Sequence, residues 1–204
     1  MTTLRRIVMI RHGETVGESS VRFHGSTDVA LSEEGRDHMR EAGRALRGEV
    51  FDLVVASPLR RAWEGARIVS GGAPIRLEAG FREIDFGRWE GLTKEEIEAS
   101  DPVLSQDWQS RASGFEFPGG EPRADFAERV LAGLTRLESS GAASVLLVAH
   151  KGVVRAIAEK LLGSPLERDQ PELGGQVGLS CGADGAWSPG RRSSNPDSVE
   201  TPSA

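Results

Sequence analysis

The chain has 204 residues, of which 38% are hydrophobic and 27% charged, a composition typical of one soluble globular domain. The 31 acidic residues outnumber the 25 basic ones, and this balance argues against a dedicated nucleic-acid-binding protein. A single cysteine excludes an intrachain disulfide and suits a reducing compartment. No apolar run is long enough to span a bilayer, and no signal-peptide core is present. We therefore expect a cytoplasmic protein with no membrane partner.

Three short apolar runs, rich in β-branched residues, predict strands. They are Ile7–Ile10, Asp52–Ala56 and Ser144–Ala149. Their hydrophobicity is continuous rather than alternating, which is typical of strands that are buried on both faces of a parallel sheet. A later hairpin, Gln176–Cys181 followed by Ala186 and Trp187, supplies the terminal strand.

Helical patterns lie between these strands. Ser32 caps a helix that opens with Glu33 and Glu34, Ser57 and Pro58 start a second one that runs to about Ser70, and Thr93 begins a capping box. Two longer helices are predicted at Arg123–Ser139 and Val153–Leu162. Alternating strands and helices predict a three-layer α/β/α sandwich with a mostly parallel central sheet.

One domain accounts for residues 1–188. Residues 77–120 break the strand–helix alternation and carry bulky aromatic residues, so we interpret them as a lid or insertion. Residues 189–204 are polar and contain almost no apolar side chains, and this composition predicts a disordered tail.

The first candidates for chemistry are two histidines, His12 and His150, which each follow an apolar strand and come shortly before a glycine, Gly13 and Gly152. Ligands of open parallel sheets bind beyond the carboxyl ends of the strands, so both side chains are expected in one crevice. Arg11 and Arg61 lie at the same ends, and their guanidinium groups suit phosphate oxygens. This set predicts a phosphate-binding pocket.

A metal site is the alternative that the same residues leave open. Two histidines with Glu83 would satisfy a two-histidine, one-carboxylate iron site. Flanking arginines would repel a dication, and no spacing of histidine and acidic residues resembles a known metal motif. We therefore expect no metal and no cofactor.

Ordered segments of the chain resemble the histidine phosphatase superfamily, which includes the phosphoglycerate mutases and fructose-2,6-bisphosphatases. The resemblance covers about residues 4–163 and rests on Arg11–Thr15, His24–Asp28 with Leu31–Gly35, Ser57–Ala62, Phe81–Glu83 with Phe86–Gly91, Pro118–Glu121 and Val148–His150. An Arg-His-Gly triplet alone would be a weak signal, whereas several segments in the family's order are a strong one.

The resemblance implies specific roles for these residues. His12 would be the nucleophile that forms a phosphohistidine. Arg11, Arg61 and His150 would hold the phosphoryl oxygens, and Glu83 would be the general acid. The activity implied is a metal-independent hydrolysis of a small phosphorylated metabolite.

Two positions depart from the family pattern. Gly17 and Glu18 stand where a Trp-Asn pair is common, so one polar contact to the phosphate is replaced, and Glu18 is the alternative candidate for the acid. Lys151 follows the second histidine where a small residue is usual. The Lys151 ammonium would either reach a substrate anion or point to solvent, and on the first interpretation we count Lys151 among the phosphate-binding candidates.

Two other functions remain open from the sequence. One is a phosphoglycerate mutase, although the stretch between the arginine motif and His150 is short for glycolytic mutases of this clan. The other is a binding protein for phosphorylated metabolites that has lost turnover, against which the retained His12, Arg61, Glu83 and His150 argue.

Overall fold

A six-stranded mixed sheet forms the centre of the computed structural model, which describes residues 3–110, 112–167 and 169–190. The strands are β1 (Arg6–Arg11), β2 (Leu53–Ala56), β3 (Ile75–Leu77), β4 (Ser144–Ala149), β5 (Gln176–Cys181) and β6 (Trp187–Pro189), in the spatial order β3-β2-β4-β1-β5-β6. The first four strands are mutually parallel, β5 pairs antiparallel with β1, and β6 pairs antiparallel with β5. The predicted, mostly parallel sheet and the terminal hairpin are confirmed.

The α-helices of the described residues are α1 (Glu33–Ala45), α2 (Arg60–Val69), α3 (Lys94–Ser100), α4 (Pro102–Ser110), α5 (Arg123–Glu138) and α6 (Lys151–Leu162). Two short 3₁₀ turns, Ala79–Phe81 and Gly87–Trp89, precede α3. Within the described ranges, no helix is both long and apolar enough to cross a membrane.

The two faces of the sheet bury separate cores. In β1, Val8 and Ile10 pack with Met39 of α1 and Ala66 of α2 on one face. Ile7 and Met9 of the same strand point to the other face, where the core includes side chains of α5 and α6 (Val130, Leu134, Ile157). Because successive side chains of a strand alternate between faces, a strand covered by helices on both sides must be apolar throughout. The three-layer α/β/α arrangement is therefore confirmed.

The predicted helix starts have mixed outcomes. Ser32 accepts a hydrogen bond from the Gly35 amide, and Thr93 forms a complete capping box with Glu96, as predicted. The prediction of an N-cap at Ser57 is wrong, because α2 begins at Arg60 with Leu59 as its N-cap. The Arg60 amide is instead satisfied by the Asp28 carboxylate, 2.6 Å away, which comes from a distant loop.

Residues 77–120 form the end of β3, both 3₁₀ turns, α3 and α4, and their aromatic side chains belong to the core under α5 and α6. Pro189 is part of β6, and the Gly190 amide donates to the Gly178 carbonyl. The rest of the predicted tail, residues 191–204, lies outside the described residues.

The start of α1 packs directly on the segment after β1. A Cβ atom at Gly35 would lie 1.8 Å from the Glu14 carbonyl oxygen, and one at Gly13 would lie 2.2 Å from the Gly35 carbonyl oxygen. Neither position has room for a side chain. This contact of two glycines fixes the backbone that follows His12.

We predict that Gly35→Ala lowers the free energy of unfolding by about 1–3 kcal/mol, the usual cost of an overpacked contact. An alanine within a helix would otherwise stabilise it by about 0.5–1 kcal/mol, so a loss identifies the steric clash. Chemical denaturation measures the change. Gly43→Ala in the same helix is the control, because its Cβ would lie 3.3 Å from the Val69 backbone, a tight contact that a shift of a few tenths of an ångström relieves. Equal effects of the two substitutions would contradict the prediction.

Candidate active site

Two histidine rings meet at the carboxyl ends of the two central parallel strands. β1 and β4 are neighbours, with Arg11 paired in register with Ala149. The next residue of each strand is therefore a neighbour too, and the His12 and His150 ring centroids are 5.2 Å apart at an interplanar angle of 65°. Both side chains are buried.

The His12 ring is oriented by its own backbone. Its Nδ1 lies 2.8 Å from the Gly13 carbonyl oxygen, an acceptor, so Nδ1 carries the ring proton and Nε2 keeps a lone pair. Burial, with the positive charges of Arg61 and Arg11, holds the pKa of His12 well below its ordinary value. His12 is therefore neutral at neutral pH, as a nitrogen nucleophile must be.

Arg61 is fully buried beside this lone pair. Its Nε donates to His12 Nε2 at 3.2 Å. Its Nη atoms donate to three main-chain carbonyl oxygens of one loop, those of His24, Gly25 and Thr27, at 2.7–3.0 Å. Burial lowers the pKa of Arg61 to about 10, so the guanidinium stays charged at neutral pH. Arg60, its neighbour, lies at the surface and pairs with Glu64.

Two buried nitrogen atoms of this group have no hydrogen-bond partner in the described residues: Arg11 Nε and His150 Nδ1. Arg11 is held through Nη1 by the Pro171 carbonyl at 3.2 Å. His150 Nε2 lies 2.8 Å from the Ser57 hydroxyl, which also accepts from the Leu59 amide. If Ser57 donates its proton to Nε2, the neutral ring carries its own proton on Nδ1 and can donate it to an oxyanion. Unsatisfied buried donors are costly, and a phosphate oxygen would satisfy both.

Glu83 lies in the same crevice and is buried. Its carboxylate accepts hydrogen bonds from the amides of Gly152 and Ile84, both at 3.1 Å. Burial raises its pKa, against the opposing effects of these amides and of Arg61 and Arg11. A raised pKa favours the protonated acid, which is the form that can donate a proton to a leaving group.

The remaining candidates differ in position. Lys151 is the first residue of α6 and lines the same cleft as Arg11, His12 and Glu83. Glu18 is not brought into the site, because its side chain is 67% exposed and pairs with Arg22. Among the described residues, no group of three or more histidine, cysteine and acidic side chains is arranged to hold a metal ion.

A cleft of about 1320 Å³ extends from these groups to the surface. One part of its wall is aromatic, with Phe23, Phe86 and Trp108 among the lining residues. The described lining residues include seven basic side chains but only three acidic ones, although the whole chain has a net charge of −6. The cleft is therefore suited to anions larger than phosphate alone.

Sequence reasoning missed two residues that support the site. Ser57 follows β2 as His12 follows β1, and its position at a strand end was a usable signal. Glu90 accepts hydrogen bonds from the backbone amides of Gly25, Ser26 and Thr27, the loop that holds Arg61. No local pattern indicates this contact, because 63 or more residues separate the partners.

Comparison with known proteins agrees with this geometry. The sequence model of the histidine phosphatase superfamily (branch 1) matches residues 7–180. Glucosyl-3-phosphoglycerate phosphatase of Mycolicibacterium vanbaalenii is 36% identical over 187 residues, which cover 87% of this chain and 82% of that protein.

Solved structures give the same result. A putative α-ribazole-5′-P phosphatase from Escherichia coli superposes with a TM-score of 0.81 at 26% identity, covering 97% of this chain and all of that one. A mycobacterial glucosyl-3-phosphoglycerate phosphatase in complex with VO3 superposes with a TM-score of 0.76 at 32% identity, covering 91% and 97%. The chain therefore belongs to the histidine phosphatase superfamily, in its branch 1, and is a phosphatase that acts on small phosphorylated metabolites.

Proposed function

We propose that the protein hydrolyses phosphate monoesters in two steps through a phosphohistidine at His12. The observation that carries the proposal is the His12 ring itself: Gly13 holds its proton on Nδ1, and its Nε2 lone pair faces the crevice next to Arg61. A neutral nitrogen held beside a fixed positive charge is suited to attack a phosphoryl group.

In the first step, His12 Nε2 forms a bond to phosphorus as the bond from phosphorus to the ester oxygen breaks. Arg11 Nε and His150 Nδ1 donate to the phosphoryl oxygens, and Arg61 adds its positive charge. These donors are held before substrate binds, so little reorganisation is needed when negative charge spreads over the oxygens. Glu83 gives its proton to the departing alkoxide, which leaves as an alcohol.

In the second step, a water molecule attacks the phosphohistidine. Glu83, now a carboxylate, accepts the proton of that water, and the bond between phosphorus and Nε2 breaks. Inorganic phosphate leaves, and His12 and Glu83 return to their starting protonation states. The open cleft gives water access to the intermediate.

We predict that rapid mixing with substrate, followed by quenching in alkali, traps phosphate on His12. A phosphoramidate survives alkali and is labile in acid, whereas phosphoserine behaves in the opposite way. His12→Ala should abolish labelling and turnover together, because no neighbouring group replaces a covalent nucleophile. His150→Ala should slow labelling without abolishing it. Peptide mapping of the label decides the outcome, and a label on His150 would reverse the two roles.

We predict that Glu83→Gln slows hydrolysis of alkyl phosphates by about 10²–10⁴-fold, the usual contribution of acid–base catalysis. Aryl phosphates should lose much less, because a phenolate leaves with little protonation. In the native enzyme, kcat should fall as pH rises through the raised pKa of Glu83 and as pH falls through the lowered pKa of His12. The variant should lose the alkaline limb. Equal small losses for both ester classes would place the acid at another residue.

The substrate that we propose is a phosphate monoester whose leaving group carries a carboxylate. Lys151 lies at the N-terminal end of α6, where the helix dipole also favours an anion, and it lines the cleft next to Glu83. The basic excess of the cleft supports the same substrate class. The mycobacterial relatives, named for glucosyl-3-phosphoglycerate, which contains a phosphoglycerate unit, are consistent with it.

A matched pair of substrates tests this. 3-Phosphoglycerate and glycerol 3-phosphate differ at one carbon, which is a carboxylate in the first and a hydroxymethyl group in the second. We predict that kcat/KM is higher for 3-phosphoglycerate and that Lys151→Ala removes about tenfold of that preference, the scale of one hydrogen bond to a charged group. The variant should slow glycerol 3-phosphate hydrolysis much less, because the proposal assigns Lys151 to the carboxylate; an equal loss on both substrates would assign it to the phosphate instead. Equal kcat/KM values for the pair in the native enzyme would contradict the carboxylate assignment.

A further inference from the structure

Glu90 organises the loop that holds Arg61. Its two carboxylate oxygens accept hydrogen bonds from the amides of Gly25 (both oxygens at 3.1 Å), Ser26 (2.9 Å) and Thr27 (3.3 Å), and from the Thr27 hydroxyl. The Phe86 amide, at 3.0 Å, ties the same carboxylate to its own segment. One side chain thus receives the donors of three consecutive residues.

The carbonyl oxygens of this loop point the other way, onto Arg61. Nη1 donates to Thr27 at 2.7 Å, and Nη2 donates to Gly25 at 2.7 Å and to His24 at 3.0 Å. With Nε on His12, four of the five N–H donors of the guanidinium are used. The peptide groups of residues 24–27 therefore connect the Glu90 carboxylate to the Arg61 guanidinium.

We infer that Glu90 is a positioning residue, which sets the orientation of Arg61 toward the phosphoryl group by ordering residues 24–27. The inference rests on the proposed role of Arg61 in binding phosphate. An indirect contact has a chemical advantage over an ion pair. A carboxylate directly on Arg61 would occupy its donors as a bidentate partner and would compete with the substrate phosphate. Carbonyl oxygens fix the orientation of the Arg61 guanidinium. Because they are uncharged, they leave its net positive charge available to the substrate.

Glu90→Gln tests the inference because it keeps the size of the side chain. The glutamine amide would place N–H donors opposite the backbone N–H donors of residues 25–27. Because two donors cannot form a hydrogen bond, the loop and Arg61 should lose order. Asp101→Asn is the matched control. Asp101 belongs to the same part of the chain and accepts from Trp89 Nε1 at 2.9 Å and from Arg88, but it has no described contact with residues 24–27 or Arg61.

We expect Glu90→Gln to lower kcat/KM for an aryl phosphate by about 10–100-fold, the factor for one charge-assisted hydrogen bond, and to weaken vanadate binding similarly. Asp101→Asn should lower Tm without either effect. Arg61→Lys removes the guanidinium group that the carbonyl oxygens of the loop orient. In this background, Glu90→Gln should change kcat/KM less than twofold. The same factor in both backgrounds would mean that Glu90 acts independently of Arg61 and would overturn the inference.

A second measurement does not depend on activity. The Arg61 Nε–H gives a side-chain signal in ¹H–¹⁵N NMR, and its hydrogen exchange is expected to be slow in the native protein and in Asp101→Asn. Glu90→Gln should make this exchange fast. Unchanged slow exchange in Glu90→Gln would overturn the inference even if activity falls. If Arg61→Lys keeps full activity, the proposed role of Arg61 fails, while the exchange result still reports whether Glu90 orders its side chain.

Discussion

A buried guanidinium next to a buried imidazole is the constraint on which the site depends. Removing Arg61 from water is costly, and the fold offsets the cost with three carbonyl oxygens rather than with a carboxylate in direct contact. The charge therefore stays available to a ligand. Burial of His12, together with the charges of Arg61 and Arg11, disfavours a second proton on the ring and leaves the Nε2 lone pair unprotonated. In the proposed mechanism, one desolvated cation thus serves both phosphate binding and nucleophile activation.

Glu83 experiences the same field with the opposite consequence. Arg61 and Arg11 favour its ionised form, but burial is the larger influence and the net shift of its pKa is upward. A substrate phosphate would bring negative charge next to the arginines and offset part of their attraction for the carboxylate. Binding of substrate is therefore expected to favour the protonated acid further, at the moment when a proton is needed by the leaving group.

The sequence predicts the parts of this protein that local physics determines. Continuous apolar runs identify β1, β2 and β4, and short-range capping signals identify the starts of α1 and α3. The prediction of an N-cap at Ser57 is wrong because Ser-Pro is a frequent local start signal for helices, whereas the Ser57 hydroxyl here is a hydrogen-bond partner of His150. Tertiary contacts decide that outcome.

The contacts that orient Arg61 also depend on tertiary structure, so the sequence does not predict them. Glu90 lies more than 60 residues from the loop it orders, and nothing in its neighbourhood signals the partner. His12 and His150 are also far apart in the chain, yet the rule that ligands bind at the carboxyl ends of parallel strands relates them. Residues that are far apart in the sequence can be predicted to meet when a general rule of the fold brings them together. They cannot be predicted to meet when the contact depends on the path of an individual loop.

The hydrogen bond from Arg61 to His12 links substrate binding to the nucleophilic attack that follows it. Arg61 Nε–H donates to the His12 Nε2 lone pair, which in the proposed mechanism attacks phosphorus. A bound phosphoryl oxygen can take over that donor, because it is a stronger acceptor than a neutral imidazole nitrogen. The lone pair is then released only when the phosphoryl group is present. Guanidinium and nucleophile exchange partners without either being left unpaired, so the step adds little to the barrier.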